Sequence, residues 1–556
     1  MSFAGGQLLT CFYTFMTSLF AALLMVPFLR LWALEQGRVD APDARKVHTV
    51  AMPRLGGIAI FLAFLFAVII FLPIDTTIRG ILAGTLVIFA TGVVDDLHGL
   101  GARGKFTGQV AACLITLLVG RLYLTELGDL FGFGAIVLPL WAAIPFTVFA
   151  VVGVINAINL IDGLDGLAGG VACIALAAFF LLGWLTNDPV TMVLAAAMIG
   201  AVLGFLKDNF YPANIFMGDT GAMVVGYLLA CLALYTTQQP GATISPMVPV
   251  LILGLPLLDT VWVLLRRLLQ GGSPFTADRS HLHHKFLDLG FAHHQTVIMI
   301  YGMSLFWAIC ALLLRGLPEY VLLLCYLLTA GGGYLLLRVL LAARRRQRAG
   351  ARDSVALRDM PLYRTLCEHA QRLLLPVRLL LGLYLLLAVA ALCRAPVLPW
   401  QIAATLLAGG GLLWLRWQKD DRQFILLIAY AAFAMLATQL WTAELAFAGG
   451  LTFKRAGDIL LGTAGSLAAL RLLFRQAGDF ALTSADSLVL AICIFLAIAS
   501  QQELLGYSIN GPLFRTVVGV VVIRTLLGGR QTTRPQVVWA AFALLAIIAL
   551  VGLLAG

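Results

Sequence analysis

The sequence predicts an all-α polytopic membrane protein, and three observations carry that prediction. Of its 556 residues, 61% are hydrophobic and 12% are charged, where a soluble protein is about a quarter charged. The apolar runs continue for about twenty residues, the length of a membrane-crossing helix, whereas barrel strands would alternate over about ten. The net charge of +10 reads as the positive-inside bias of cytoplasmic loops. No polar domain carries that charge, so no nucleic-acid partner is expected. The nine cysteines lie mostly within apolar runs and form no C-x-x-C pair. Neither a disulfide framework nor a zinc site is indicated.

Taken in order, about eleven spans are expected up to residue 343, at 7–33, 55–73, 78–94, 106–124, 134–155, 166–185, 190–206, 220–236, 244–269, 294–315 and 317–341. The first run has no basic residue ahead of it. That argues against a cleaved signal peptide. Arg30, Arg38, Arg45, Lys46 and Arg54 follow the run, which sets its far end in the cytoplasm. The cytoplasmic loops are then 34–54, 95–105, 156–165, 207–219 and 270–293. The unusual polar residues fall in these five loops, so one cytoplasmic site is expected. Residues 344–372 carry eight arginines and read as a basic juxtamembrane linker, drawn to anionic headgroups by about 1 kcal/mol per basic residue. A second apolar block, 373–556, reads as about seven further spans. It carries no recognisable motif and no repeat of the first block; a non-catalytic interaction module is the expectation for it.

The stretch Asn156-Ala-Ile-Asn159-Leu-Ile-Asp162-Gly-Leu-Asp165-Gly166 is the centre of the chain. Asn156, Asn159 and Asp162 are three apart and share a face if helical. Glycines break the helix there and let backbone approach a ligand. A carboxylate at the bilayer centre costs about 2.5–3.5 kcal/mol on insertion scales, so Asp162 and Asp165 are candidates to bind or react. In the first loop, Lys46 and Arg54 are placed to neutralise phosphate oxygens, or are ordinary loop charge. The pair Asp95-Asp96 either straddles a cation or starts a solvated loop. Asp219 lies in Gly218-Asp-Thr-Gly221, which opens a new helix whose N-terminus suits a phosphate. Phe216 is placed to stack on a nucleobase or to fill the core. His281, His283 and His284 stand beside Arg279 and Lys285. A histidine metal site is open, but phosphate binding by partly protonated imidazoles fits the neighbours better. His293 and His294 read as membrane-interface residues. Asp259, inside an apolar run, is a site candidate or a structural hydrogen-bonder. Asp420 and Asp421 read as a solvated turn.

The ordered set closely resembles the polyprenyl-phosphate N-acetylhexosamine-1-phosphate transferases. It comprises Pro53-Arg-Leu-Gly-Gly57, Asp95-Asp96, Asn156-x-x-Asn159-x-x-Asp162-Gly-Leu-Asp165-Gly-Leu, Phe216-Met-Gly-Asp219-x-Gly and His281-x-His283-His284. The resemblance covers about residues 1–343, and 373–556 is the main departure from it. Within the family, Asp278-Arg-Ser-His-Leu-His-His284 resembles the branch that transfers GlcNAc-1-phosphate to undecaprenyl phosphate. The resemblance implies a UDP-N-acetylhexosamine donor, undecaprenyl phosphate as acceptor, UMP release, and Mg²⁺ with Mn²⁺ as a substitute. It implies Asp219 as metal ligand with Asp96 close to the metal, and Asp95 as base or lipid-phosphate positioner. Asp162, Asn209, Phe216 and Lys46 match nucleotide-side positions, and His281, His283 and His284 match pyrophosphate and substrate contacts. Arg54, Asn156, Asn159 and Asp165 complete the expected substrate-binding set, with Asp95, Asp96, Asp162 and His281 as its catalytic members. Membrane lipids and a second copy in a homodimer are the remaining partner expectations. The competing classes are a secondary transporter, which would carry repeats and midplane polar residues, and an inactive scaffold for glycan assembly.

Overall fold

The computed structural model describes residues 2–37, 39–40, 52–271, 281–349, 372–392, 433, 453–473, 503–504, 507–508, 518–519 and 522–523. The chain divides into two units, Met1–Gly350 and Ala351–Gly556. Among the described residues, eight helices are long and apolar enough to cross a membrane. The all-α expectation therefore holds.

The first unit opens with α1 (Ser2–Glu35), followed by a two-residue pairing of β1 (Val39–Asp40) with β2 (Met52–Pro53). Then come α2 (Gly56–Phe71), α3 (Thr76–His98), α4 (Ala102–Gly120), α5 (Leu140–Ile161), α6 (Leu167–Thr186), α7 (Pro189–Asn209) and α8 (Gly218–Gln238). After these follow α9 (Met247–Ile252), α10 (Gly254–Leu269), α11 (Leu282–Asp288), α12 (His293–Leu313) and α13 (Glu319–Ala349). α6, α7 and α8 are the most enclosed spans. α1 lies along α7, α3 packs between α4 and α8, and α5 packs on α8. Phe61, Phe64, Phe179, Phe205, Tyr227 and Tyr301 fill the interior.

Three boundaries differ from the sequence expectation in ways that matter. The expected span 244–269 is two helices that meet at Leu253, so α10 is a separate helix. The helix expected to stop at 155 runs to Ile161, so Asn156 and Asn159 are helical rather than loop residues. α13 continues through Ala349, so the arginine run begins on a helix rather than in a linker. In the second unit the described helices are α14 (Leu374–Leu392) and α15 (Phe453–Leu473), which pack together. Val377, Ala464, Ala468 and Val522 form their buried contact. The other spans expected in 373–556 lie outside the described residues.

Alternation of the first unit's helices brings the ends of α3, α5 and α7 and the starts of α4, α6 and α8 to one end of the bundle. At the other end, the Gln238 side chain at the close of α8 accepts from the Thr125 and Glu126 amides at 3.0 and 3.1 Å. That clamp ties the outer loop after α4 to the last turn of α8.

Candidate active site

The carboxylates expected from sequence converge at the α3/α4/α8 end. Ligand oxygens of Asp95, Asp96 and Asp219 all lie within 4.8 Å of one another. Asp95 and Asp96 occupy the last turns of α3, which ends on Gly99 with a positive φ of 72°. That left-handed turn is open to glycine at no steric cost, and it sends α4 back past the end of α3. The result places Lys105, in the first turns of α4, between two of the carboxylates. Its Nζ is 2.5 Å from Asp95 Oδ2 and 3.2 Å from Asp219 Oδ2. Asp95 is also held by the Leu100 amide, which donates to Oδ1 at 2.7 Å. Asn159 Nδ2 donates to Asp219 Oδ1 at 2.6 Å, so α5 fixes the orientation of the α8 carboxylate.

Asp96, within reach of the same centre as expected, also caps a helix. Its Oδ1 accepts from the Asp219 amide at 2.9 Å, and its Oδ2 accepts from the Thr220 amide and hydroxyl at 2.9 and 2.5 Å. A residue of α3 thus caps the N-terminus of α8, satisfying donors that a helix start leaves open. Those amides are therefore engaged, and the expectation that this helix start receives a phosphate is corrected. The donor set around the cluster is all carboxylate oxygen, which suits a hard divalent cation such as Mg²⁺. Asp95 and Asp219 present oxygens to a common centre that Lys105 now neutralises.

Two sequence motifs are joined backbone to backbone beneath this cluster. Phe216 N donates to Pro53 O at 2.8 Å, Gly56 N to Phe216 O at 3.1 Å and Gly57 N to Met217 O at 2.8 Å. A Cβ on Gly57 would come within 2.1 Å of Gly221 N, so only glycine admits this approach. The Phe216 side chain remains half-buried beside it. Arg54 contributes its positive charge toward Asp162. Lys46, and Asp278 and Arg279 of the fifth loop, lie outside the described residues.

The turn after α5 forms the adjoining wall. Asp162 reaches solvent, yet its carboxyl is pushed up to about 7. Loss of hydration among the surrounding residues is the largest cause. The Asp219, Asp165 and Asp96 carboxylates add to it, and Arg54 opposes. The turn is held from two sides. Asn209 Oδ1 accepts from Gly166 N at 3.0 Å and its Nδ2 donates to Ile215 O at 2.8 Å. Asp165 Oδ2 accepts from Ala213 N at 3.0 Å. Asn209 and Asp165 are buried and fasten loops to each other. Asn156 likewise faces a neighbouring helix, donating to Gln109 Oε1 at 2.9 Å.

The histidines close the site on the far side of this turn. His283 lies against Gly163, where a Cβ would come within 2.4 Å of its Nε2. Its ring is 4.2 Å from that of His284 and parallel to that of His281 at 5.9 Å. Burial holds His283 down at about 3, and the His284 ring acts in the same sense. The partly protonated triad expected from sequence is thus corrected at His283, which is neutral at physiological pH. His293, at the start of the span His293–Leu313 as an interface residue would be, also accepts from the Asp165 amide at 3.2 Å and stacks on Tyr211.

His283 yields a pH prediction. Its folded value lies below the ordinary 6.5, so below pH 6.5 the unfolded chain binds the extra proton and stability falls with acidity. Between pH 7 and 5 this costs about 2 kcal/mol, taking 1.36 kcal/mol per unit. The variant His283→Gln should therefore lose less thermal stability than the parent over that interval, read as the change in Tm in detergent at both pH values. Equal losses would show that His283 is not held neutral.

Lys105, Gln109 and His293 were not picked out as site residues by the sequence reading. Their only signal was proximity to the motifs: Lys105 and Gln109 follow Asp95-Asp96, and His293 follows the triad.

Residues 78–237 match the family model of glycosyl transferase family 4. The chain is 34% identical over 310 residues to the probable undecaprenyl-phosphate N-acetylglucosaminyl 1-phosphate transferase of Bacillus subtilis, covering 54% of this chain and 84% of that protein. It is 32% identical over 310 residues to the undecaprenyl-phosphate alpha-N-acetylglucosaminyl 1-phosphate transferase of Escherichia coli, with the same shares. A decaprenyl-phosphate N-acetylglucosaminephosphotransferase of Mycobacterium leprae is 34% identical over 291 residues, 47% of this chain and 73% of that protein.

Proposed function

The chain belongs to the polyprenyl-phosphate N-acetylglucosamine-1-phosphate transferases of glycosyl transferase family 4, and on that premise we propose that its first unit moves GlcNAc-1-phosphate from UDP-GlcNAc to undecaprenyl phosphate, releasing UMP at the cytoplasmic face of the inner membrane. The observation that carries this reading is the arrangement of Asp95, Lys105 and Asp219 at one end of the helix bundle. Carboxylates gathered at one centre suit a divalent cation, and such a cation with a lysine beside it would cancel the repulsion between two anions that must approach one another.

The reaction needs such cancellation because both substrates are negative. A phosphate oxygen of the lipid attacks the phosphorus that carries the sugar. A new P–O bond forms, the P–O bond to the nucleoside phosphate breaks, and UMP leaves with the electron pair. The second pKa of a phosphate monoester is about 6, so the nucleophile is already mostly dianionic and needs no general base. Catalysis is then positioning and charge stabilisation. Asp219 and Asp95, with Asp96 beside them, would hold Mg²⁺ or its substitute Mn²⁺; the ion would supply charge neutralisation on the diphosphate. Lys105 adds a cation beside that place, and Asn159 orients Asp219. The Asp162–Gly166 turn and Phe216 would face the nucleotide, with Asn209 and Asp165 holding that turn in place. His281 and its neighbours would meet the pyrophosphate.

Direct attack is favoured over an aspartyl-phosphate intermediate because the lipid phosphate is already mostly dianionic at neutral pH and needs no enzyme group to activate or replace it. The purified chain given UDP-GlcNAc and Mg²⁺ in a single-turnover experiment should therefore release no UMP until undecaprenyl phosphate is added. Stoichiometric release from the nucleotide sugar alone would replace direct attack with a covalent intermediate.

A further inference from the structure

We propose that Asp259 is a positioning residue that fixes the tautomer and place of His281; the inference rests on the transferase reading above. Asp259 is 4% exposed and sits in α10, beyond the break at Leu253. Three donors from two other helical segments converge on its carboxylate. His281 Nδ1 lies 2.9 Å from Oδ2, the Leu282 amide donates to Oδ1 at 2.9 Å, and the Tyr334 hydroxyl donates to Oδ1 at 3.2 Å. A carboxylate only accepts, so His281 carries its proton on Nδ1 in this contact. Nε2 is then the nitrogen available to substrate.

The neighbours make this seat specific. Tyr334, on α13, is itself fixed by stacking on Trp262 at 4.5 Å and by Lys285 Nζ 4.6 Å above its ring. The Leu282 amide is the first of α11, so Asp259 caps from outside the helix that carries His283. The His281 ring lies parallel to His283, and His283 touches Gly163 of the Asp162 turn. Asp259 is thus joined through two imidazoles to the turn beside the carboxylate cluster. A buried carboxylate is a weak device for holding helices together, since apolar residues of similar volume do so as well or better. Its chemistry is explained by the histidine it faces. Carboxylates that orient a working histidine in this way fix its tautomer and ring direction.

An asparagine at 259 has one accepting oxygen and two N–H donors. It cannot accept from all three partners, and an N–H turned toward His281 would move the imidazole proton to Nε2. Two readouts on the full chain in lipid nanodiscs test this. Nitrogen NMR of isotope-labelled histidines, with His281 assigned as the signal lost in His281→Gln, should show the Nδ1–H tautomer in the parent and a shift toward Nε2–H in Asp259→Asn. UMP release should fall on the order of 10- to 100-fold in Asp259→Asn through kcat, with KM for the nucleotide sugar retained, and should fall no further when Asp259→Asn is added to His281→Gln. An unchanged tautomer, an equal loss in both backgrounds, or joint loss of nucleotide binding and turnover would each overturn the proposal. A parent protein that shows the tautomer but makes no UMP would instead remove the transferase reading and leave the histidine–aspartate pairing standing.

Discussion

Replacing Asp219 with asparagine is expected to lower turnover on the order of 10³-fold at saturating Mg²⁺, the scale of removing a preorganised electrostatic group from a transition state. In the present structure Asp219 is gripped on both oxygens, by Asn159 Nδ2 at 2.6 Å and by Lys105 Nζ at 3.2 Å. An amide would turn its N–H₂ toward one of these donors and could not serve as an anionic ligand. The fold should tolerate the change, because one charge leaves a group of carboxylates that repel each other. A Tm close to that of the parent together with lost turnover would place the defect in chemistry. Near-normal turnover would remove Asp219 from the reacting centre.

Lys105→Met should be nearly as damaging to turnover, on the order of 10²- to 10³-fold by the same measure, and it has a second consequence. Without the ammonium, Asp95 and Asp219 face each other unscreened. The substrate-free variant should be less stable than the parent, and added Mg²⁺ should raise its Tm by more than it raises the parent's. The reason is competition: in the parent, the lysine already supplies positive charge where the ion would bind. Thermal melts of both proteins across a Mg²⁺ titration give the comparison. An equal response would mean that Lys105 and the ion do not act on the same carboxylates.

What the sequence disclosed was decided by how local each signal is. Continuous apolar runs mark α3, α5, α6, α7 and α8 because membrane helices satisfy their backbone within the segment. Asp95, Asp96 and Asp219 stood out because carboxylates at span ends are costly without a task. Lys105 did not, since a lysine at the start of a span is ordinary loop charge until the Gly99 turn folds it back onto Asp95. The break at Leu253 was hidden because residues on both sides are apolar; Gly254 and Pro256 were the local hints. Asp96 capping a different helix and Asn209 bridging two loops are tertiary facts with no periodicity to betray them. The bond from the Asp165 amide to His293 was hidden because the two lie 128 residues apart in sequence.

The most direct measurement is the mass of the lipid formed when the purified full chain is given undecaprenyl phosphate, UDP-GlcNAc and Mg²⁺. An acceptor heavier by one N-acetylhexosamine together with one additional phosphate is the predicted product. A lipid that gains the sugar without the phosphate, or one that does not change at all, would contradict it.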